Sequence, residues 1–322
     1  MLFIRTDRLG ETLLNLPAVS SLRAALPQAS LTLLVHPDLQ PLLDGLPGID
    51  EVLAHRHELR HGWWRRARTL GRTLRPRRFD VAVVSNPMKE LHVAVWLAGI
   101  PCRVGYDRKW GCLLTHRLPD RKALGERHEV EYNLDLVRRL GLPTLSPQWQ
   151  FPRFEREQVE AQQLLERQGI DIARPFIAVH PWTSNPIKRW PLDRYQMLIR
   201  QAVERLRLQI VVIGGAEEAG QTQAVLPAGL SAVNLVGKLS LRQVAGLLQL
   251  AALLVSNDSG PMHLAAAAGT RTLALFGTPN GAAGPRRWGP WGRGHVVISK
   301  PSMESITVNE VFDALQQMCH SE

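Results

Sequence analysis

Three short stretches of this sequence combine residue types that can act on a phosphorylated, hydroxyl-bearing substrate. The first, RTDRLGETLLNLPA, places Gly10 and Glu11 where an apolar run gives way to a helical pattern. Glycine lets the backbone turn tightly beside a ligand, and a glutamate there can serve as general base toward an acceptor hydroxyl. By position alone the same carboxylate could cap the helix or favour its dipole. The second, AVHPWTSNPIKRWP, offers the hydroxyls of Thr183 and Ser184 and the charges of Lys188 and Arg189. That set suits the oxygens of a pyrophosphate, although a solvated loop ending in a helix cap has the same composition. In the third, LLVSNDSGPMHLAAAAG, a buried run ends at Asn257-Asp258-Ser259-Gly260 and Pro261 takes a favoured first helical position. The backbone N–H groups of the opening turn are then left for a phosphate. His263 follows on that turn, facing the same site or serving as a satisfied structural histidine.

Holding such segments at ligand-binding edges is the work of strands alternating with helices. β-branched or leucine-rich runs predict strands at Leu2–Arg5, Leu31–Val35, Val81–Val84 and near Arg103, then at Phe176–Val179, Ile210–Ile213, Leu253–Ser256 and Thr272–Phe276. Amphipathic spacing predicts helices over Thr12–Ala25, Trp63–Leu74, Leu91–Ala98, Glu129–Leu140, Leu192–Arg205, Leu241–Gln249 and Pro261–Ala268. The pattern is α/β, with two Rossmann-like doubly wound domains. The proline-rich run from Pro143 to Arg153 sets the expected boundary: an N-terminal acceptor-binding domain over residues 1–150 and a C-terminal nucleotide-sugar domain over 151–306. A C-terminal helix within 307–322 is expected to pack back on the first domain.

Composition removes several classes of function. The longest apolar stretches are well short of the ~20 residues that cross a bilayer. Arg5, Asp7 and Arg8 stand where a secretory signal needs an apolar run, so a cytoplasmic location is expected. Cys102, Cys112 and Cys319 form neither a disulfide framework nor a zinc pattern. The glycines at Gly214-Gly215 lack the G-x-G-x-x-G spacing of a nicotinamide dehydrogenase. No D-x-D pair offers a divalent cation a site, so charge on a departing diphosphate falls to Lys188, hydroxyls and helix ends. No metal and no cofactor are expected.

Taken together, the three stretches, in this order and at these separations, resemble the ADP-heptose:lipopolysaccharide heptosyltransferases, the ninth glycosyltransferase family. The resemblance spans nearly the whole chain, and its last motif is the most specific. It implies a GT-B fold, two Rossmann-like domains facing a central cleft. It also implies metal-independent, inverting transfer of heptose from ADP-heptose to a hydroxyl of a lipopolysaccharide core sugar. By motif, Glu11 matches the family's catalytic base, though an aspartate is more usual there, and Lys188 the lysine that steadies the donor phosphates. Thr183 and Ser184 match hydroxyl residues near the diphosphate, and Asp258, Ser259, Gly260 and His263 match the donor-binding turn, with Ser259 in place of the commoner threonine. Glu217 matches the ribose contact and Leu239 the adenine contact. Another nucleotide sugar, or a protein or other glycan as acceptor, remains an alternative.

The net charge of +10 is concentrated: nine arginines between Arg56 and Arg78 face one acid, Glu58. Over Trp63 to Arg75, the residues Trp63, Ala67, Leu70 and Leu74 fall on one helical face and Arg65, Arg68, Arg72 and Arg75 on another. The arginine face is expected to meet a lipid-linked acceptor or the anionic inner membrane as a peripheral contact. A solvated face is the plainer alternative. Arginines beside Trp63 and Trp64 could also grip nucleic acid, but no nucleic-acid motif surrounds them and no such partner is expected.

Overall fold

The computed structural model describes residues 1–57, 62–144, 149, 151–226, 229–278 and 281–320. Glu58 and Arg60, and residues 145–148 and 150 of the expected interdomain run, lie outside them. The chain forms two compact units, Met1–Trp149 and Gln150–Glu322.

In the first unit, β1 (Leu2–Arg5), β2 (Thr32–Val35), β3 (Glu51–Ala54), β4 (Val81–Val84), β5 (Cys102–Tyr106) and β6 (His116–Leu118) form one parallel sheet in the order β3-β2-β1-β4-β5-β6. Every residue of β1 and β2 is buried, as a sheet covered by helices on both faces requires. Helix Trp63–Leu74 lies close against helix Lys89–Leu97 at Gly71, where a Cβ would come within 3.0 Å of Leu97 Cβ and 3.1 Å of the Ala94 carbonyl oxygen. A larger residue would push the two helices apart.

The second unit has β7 (Phe176–His180), β8 (Gln209–Val212), β9 (Ala232–Asn234), β10 (Leu253–Asn257), β11 (Arg271–Phe276) and β12 (Val296–Ser299) in the parallel order β12-β11-β10-β7-β8-β9. Counted within each unit this is the same arrangement, 3-2-1-4-5-6 read from one edge. The connections therefore diverge between the first and fourth strands of each sheet, β1/β4 and β7/β10. Ligands of open α/β sheets bind beyond the carboxyl ends of the strands at that point.

Three expectations need correction. The apolar face of the C-terminal helix, Val308–His320, is covered within the second unit: Val311, Phe312, Leu315 and Met318 join Tyr195, Leu198 and Ala202 of helix Leu192–Leu206 in one core. Its amphipathic pattern announced an apolar face without saying what would cover it. The helix expected over Thr12–Ala25 is two, Leu9–Leu13 and Leu16–Ala25, because Pro17 occupies the opening turn of the second. Trp63 is only half-buried and stacks edge-on with Trp64 and Trp110, whereas Ala67, Leu70, Gly71 and Leu74 carry the packing.

Candidate functional site

In the second unit the loop after β7 is pinned at both ends by fully buried tryptophans, Trp182 and Trp190. Trp190 Nε1 donates to the Ile306 carbonyl oxygen at 2.9 Å. Between these anchors the polar residues are free of core duty. The neighbouring turn after β10 is tied to the loop by Asn257, whose buried amide donates to the Pro181 carbonyl (2.8 Å) and accepts from the Trp190 N–H and the Tyr195 hydroxyl (3.0 Å each). A half-satisfied amide at this depth would cost about 1–3 kcal/mol, so the two segments have one way to fit.

That fit brings Lys188 Nζ to 2.5 Å from Asp258 Oδ2. Burial pushes the Asp258 carboxyl above its usual range, and Lys188 pulls it back. Thr183 Oγ1 reaches toward the Asp258 carbonyl oxygen at 3.4 Å, while Ser184 on the same loop is exposed. Ser259 precedes helix Gly260–Ala268 in extended conformation and makes no side-chain cap. Its hydroxyl instead lies 2.9 Å from Ser256 Oγ and 3.4 Å from His180 Nδ1. The first N–H groups of the helix are therefore not taken by that side chain, and Gly260 opens the turn. His263 on the same turn is buried.

Glu217 opens the 3-10 helix Ala216–Ala224 that ends the loop after β8, and Leu239 sits on the loop after β9. Gly237, at φ +71, lets these loops touch: its N–H donates to the Gly214 carbonyl at 2.9 Å, and a Cβ there would come 3.0 Å from Ala216 Cα. Glu218 Oε2 accepts from the Gly215 N–H (2.7 Å) and lies 3.8 Å from His180 Nε2. Thus Thr183, Lys188 and Asp258 are directly connected, Ser259 is held beside them by Ser256 and His180, and Glu217 lies on the segment that Glu218 ties toward His180. His180 and Asn257 were not singled out as site residues from the sequence, although both end buried strands with a polar side chain. Burial depresses the His180 imidazole to about 4.

In the first unit Glu11 stands on the first turn of helix Leu9–Leu13, beyond β1. Burial and the neighbouring Asp7 raise its carboxyl above the usual glutamate range, against the pull of its own backbone N–H, Arg5 and Arg8. The group is a stronger base than a free glutamate. A buried network holds the turn: Asn15 Nδ2 donates to the Glu11 carbonyl (2.7 Å), Ser85 Oγ donates to Asn15 Oδ1 (2.6 Å), and Arg5 Nη1 donates to Ser85 Oγ (3.3 Å). Asn133 Nδ2 also donates to the Leu14 carbonyl at 3.0 Å. Ser85 follows β4, so the network bridges the two strands of this sheet's switch point. This network could not be picked from the sequence, because apart from the Asn15–Glu11 bond its partners lie 70 and more positions apart.

On helix Trp63–Leu74 and its end, Trp64, Arg65, Arg68, Arg72 and Arg75 are exposed on one face, and the four arginines form no ion pair among the described residues. Arg66 turns inward, and Trp110 joins the aromatic patch from the loop after β5.

Two sheets of one order, each with its candidate groups at the switch point, find a counterpart among known proteins. The family described as glycosyltransferase family 9 (heptosyltransferase) matches residues 67–314. This chain belongs to that family. Lipopolysaccharide heptosyltransferase 2 of Escherichia coli strain K12 is 32% identical over 295 residues, covering 86% of this chain and 82% of the relative. The structure of E. coli ADP-heptose lps heptosyltransferase II matches with a TM-score of 0.80 at 26% identity, over 98% of this chain and 97% of that one. E. coli heptosyltransferase WaaC with ADP shares the fold, with a TM-score of 0.77 at 20% identity over 98% and 99% of the two chains. The family member described here is a glycosyltransferase with the two-domain α/β GT-B fold.

Proposed function

We propose that this glycosyltransferase moves a heptose from ADP-heptose to a hydroxyl of a lipid-linked lipopolysaccharide core sugar, with inversion at the anomeric carbon. The observation that carries the reading is the division of chemistry between the two switch points: a carboxylate of raised basicity beyond β1, and the Lys188–Asp258 pair beside an uncapped helix start beyond β10. Likeness to lipopolysaccharide heptosyltransferase 2, to ADP-heptose lps heptosyltransferase II and to heptosyltransferase WaaC with ADP supports the donor class.

A single in-line displacement needs a base on the acceptor side and charge stabilisation on the leaving side. Glu11 takes the proton of the acceptor hydroxyl as the oxygen attacks, so negative charge never accumulates on a free alkoxide. Lys188 carries three N–H donors and spends one on Asp258, leaving two for phosphate oxygens. Asp258 therefore works as a positioning residue. Thr183, Ser184 and the Ser259–Gly260 turn supply further donors, and charge-assisted contacts to the diphosphate strengthen as its bond to the sugar breaks. Glu217 is assigned to the ribose hydroxyls and Leu239 to the adenine face, and the reading gives transfer itself no metal and no cofactor. His263 is retained as part of the donor turn.

Trp64, Arg65, Arg68, Arg72 and Arg75 are assigned to the lipid-linked acceptor and to peripheral contact with the anionic inner membrane from the cytoplasmic side. Among the described residues no helix is long and apolar enough to cross a membrane. Calorimetry with ADP, UDP and GDP in EDTA tests the donor, and an NMR assignment of the product anomer tests inversion. Selective ADP binding and an inverted product are expected. Preference for UDP or GDP would remove the heptose donor, and a retained anomer would remove Glu11 as simple base.

A further inference from the structure

One cluster in the first unit lies outside the transfer chemistry. Residues 55 and 57 follow the carboxyl end of β3, and two positions along an extended chain turn both imidazoles to one side. Their rings stand edge to face, with centroids 5.0 Å apart. Glu90, on the first turn of helix Lys89–Leu97, directs Oε1 at both: His55 Nε2 is 2.7 Å away and His57 Nδ1 3.2 Å. All three ligand atoms lie within 4.8 Å of one another. Glu90 is 1% exposed and the histidines 14% and 21%, so the group is enclosed on the carboxylate side and reachable on the imidazole side.

We infer that His55, His57 and Glu90 bind one divalent ion of the zinc class. With bonds of about 2.0–2.2 Å, adjacent ligand atoms stand roughly 2.9 Å apart in an octahedral shell and roughly 3.3 Å in a tetrahedral one. The nitrogen-to-Oε1 separations of 2.7 and 3.2 Å fall close to these values, so small shifts admit an ion in place of the two hydrogen-bond protons. Two imidazoles and one carboxylate form a borderline donor set that favours zinc or ferrous iron over magnesium, and three protein ligands leave a position open.

The outer contacts are those that metal ligands need. His57 Nε2 lies 2.6 Å from Thr6 Oγ1, and when this nitrogen carries the proton, Nδ1 presents its lone pair to the ion. Asn86 Nδ2 donates to the same Thr6 oxygen at 3.2 Å. Arg66 Nε takes the other carboxylate oxygen, Oε2, at 2.7 Å, which holds Oε1 toward the imidazoles. Arg66 also repels a cation, so affinity should fall below that of closed four-ligand sites. Thr6 directly follows β1, so an ion here would stiffen the start of the segment that carries Glu11.

The test uses the full-length untagged chain stripped with EDTA and titrated with Zn²⁺ by calorimetry and with Co²⁺ by visible absorption. One equivalent is expected, with cobalt d–d bands of a nitrogen- and oxygen-ligated ion. His55→Ala and His57→Ala should each weaken binding at least tenfold, and Thr6→Val about 10–100-fold. His36→Ala should leave it unchanged. His57→Cys, which keeps a ligand, should retain binding and add a thiolate-to-cobalt charge-transfer band. Far-UV circular dichroism verifies that each variant is folded. Absence of a stoichiometric site in the parent, or parent-like affinity in folded His55→Ala and His57→Ala, would overturn the inference.

Discussion

Acidification should loosen the second unit through one buried imidazole. His180 is 5% exposed, and burial depresses its folded pKa to about 4 against 6.5 for an ordinary histidine. Unfolding frees the ring to take up a proton, so the unfolded state binds protons more tightly throughout that interval. The stability tied to neutral His180 is complete above pH 6.5 and is lost progressively as pH falls toward 4. A gap of about 2.5 pH units corresponds to about 3 kcal/mol in full, of which about 2 kcal/mol is lost by pH 5. Against the 5–15 kcal/mol that typically holds a domain together, this is a large share. Urea unfolding at pH 7.5 and pH 5, followed by tryptophan fluorescence, should show that loss in the parent. His180→Gln cannot ionise and should lose about 2 kcal/mol less over the same interval. Equal acid sensitivity in the two proteins, or an NMR titration of His180 with its midpoint near 6.5, would refute the reasoning. Because the folded ring stays neutral down to about pH 4, His180, which lies against Ser259, should leave the ADP affinity of the folded protein unchanged over this interval.

Glu11→Gln should reduce kcat about 10²–10⁴-fold with little change in ADP affinity, as steady-state rates and calorimetry would show. In the parent, kcat should fall with acid through a limb lying above the ordinary glutamate range, because the Glu11 pKa is raised. Lys188→Ala removes a charge-assisted contact worth about 1.5–3 kcal/mol, a loss of roughly 10–150-fold in ADP affinity by calorimetry. It also strands Asp258 in a buried setting, so the variant's stability deficit should shrink as pH falls and Asp258 becomes protonated; Lys188→Ala combined with Asp258→Asn should recover stability without recovering ADP binding. Replacing Arg68 and Arg72 by Glu should weaken sedimentation with anionic vesicles at least tenfold, at ~1 kcal/mol per basic residue, and Trp64→Ser should weaken it further. Unchanged sedimentation would return this face to the solvent.

Central strands were legible because they are buried on both faces and read as continuous apolar runs: β1, β4, β7 and β10 fall within a residue of expectation. The edge strands β3, β6, β9 and β12 were not, since each is partly exposed and its short sequence mixes polar and apolar residues. Helix Glu155–Arg167 escaped for a related reason: only Ala161 and Leu165 of its thirteen residues are buried, too narrow a stripe to stand out beside the proline-rich run.

Local chemistry belongs to the sequence. A polar turn after an apolar run, a proline in the first helical turn and a loop combining hydroxyls with a lysine already assigned Glu11, Thr183, Lys188 and Ser259 to the carboxyl ends of strands, because those signals act over a few residues. The long-range partners were decided only by the tertiary structure. Lys188 meets Asp258 seventy positions away, Ser85 supports Asn15 across the same span, and Glu90 gathers His55, His57 and Arg66 from separate elements. Such pairings, and the shifts in basicity of Glu11, Asp258 and His180, depend on burial and on which strands lie side by side. The order of strands in a sheet brings distant turns together, and no local pattern in the chain encodes it.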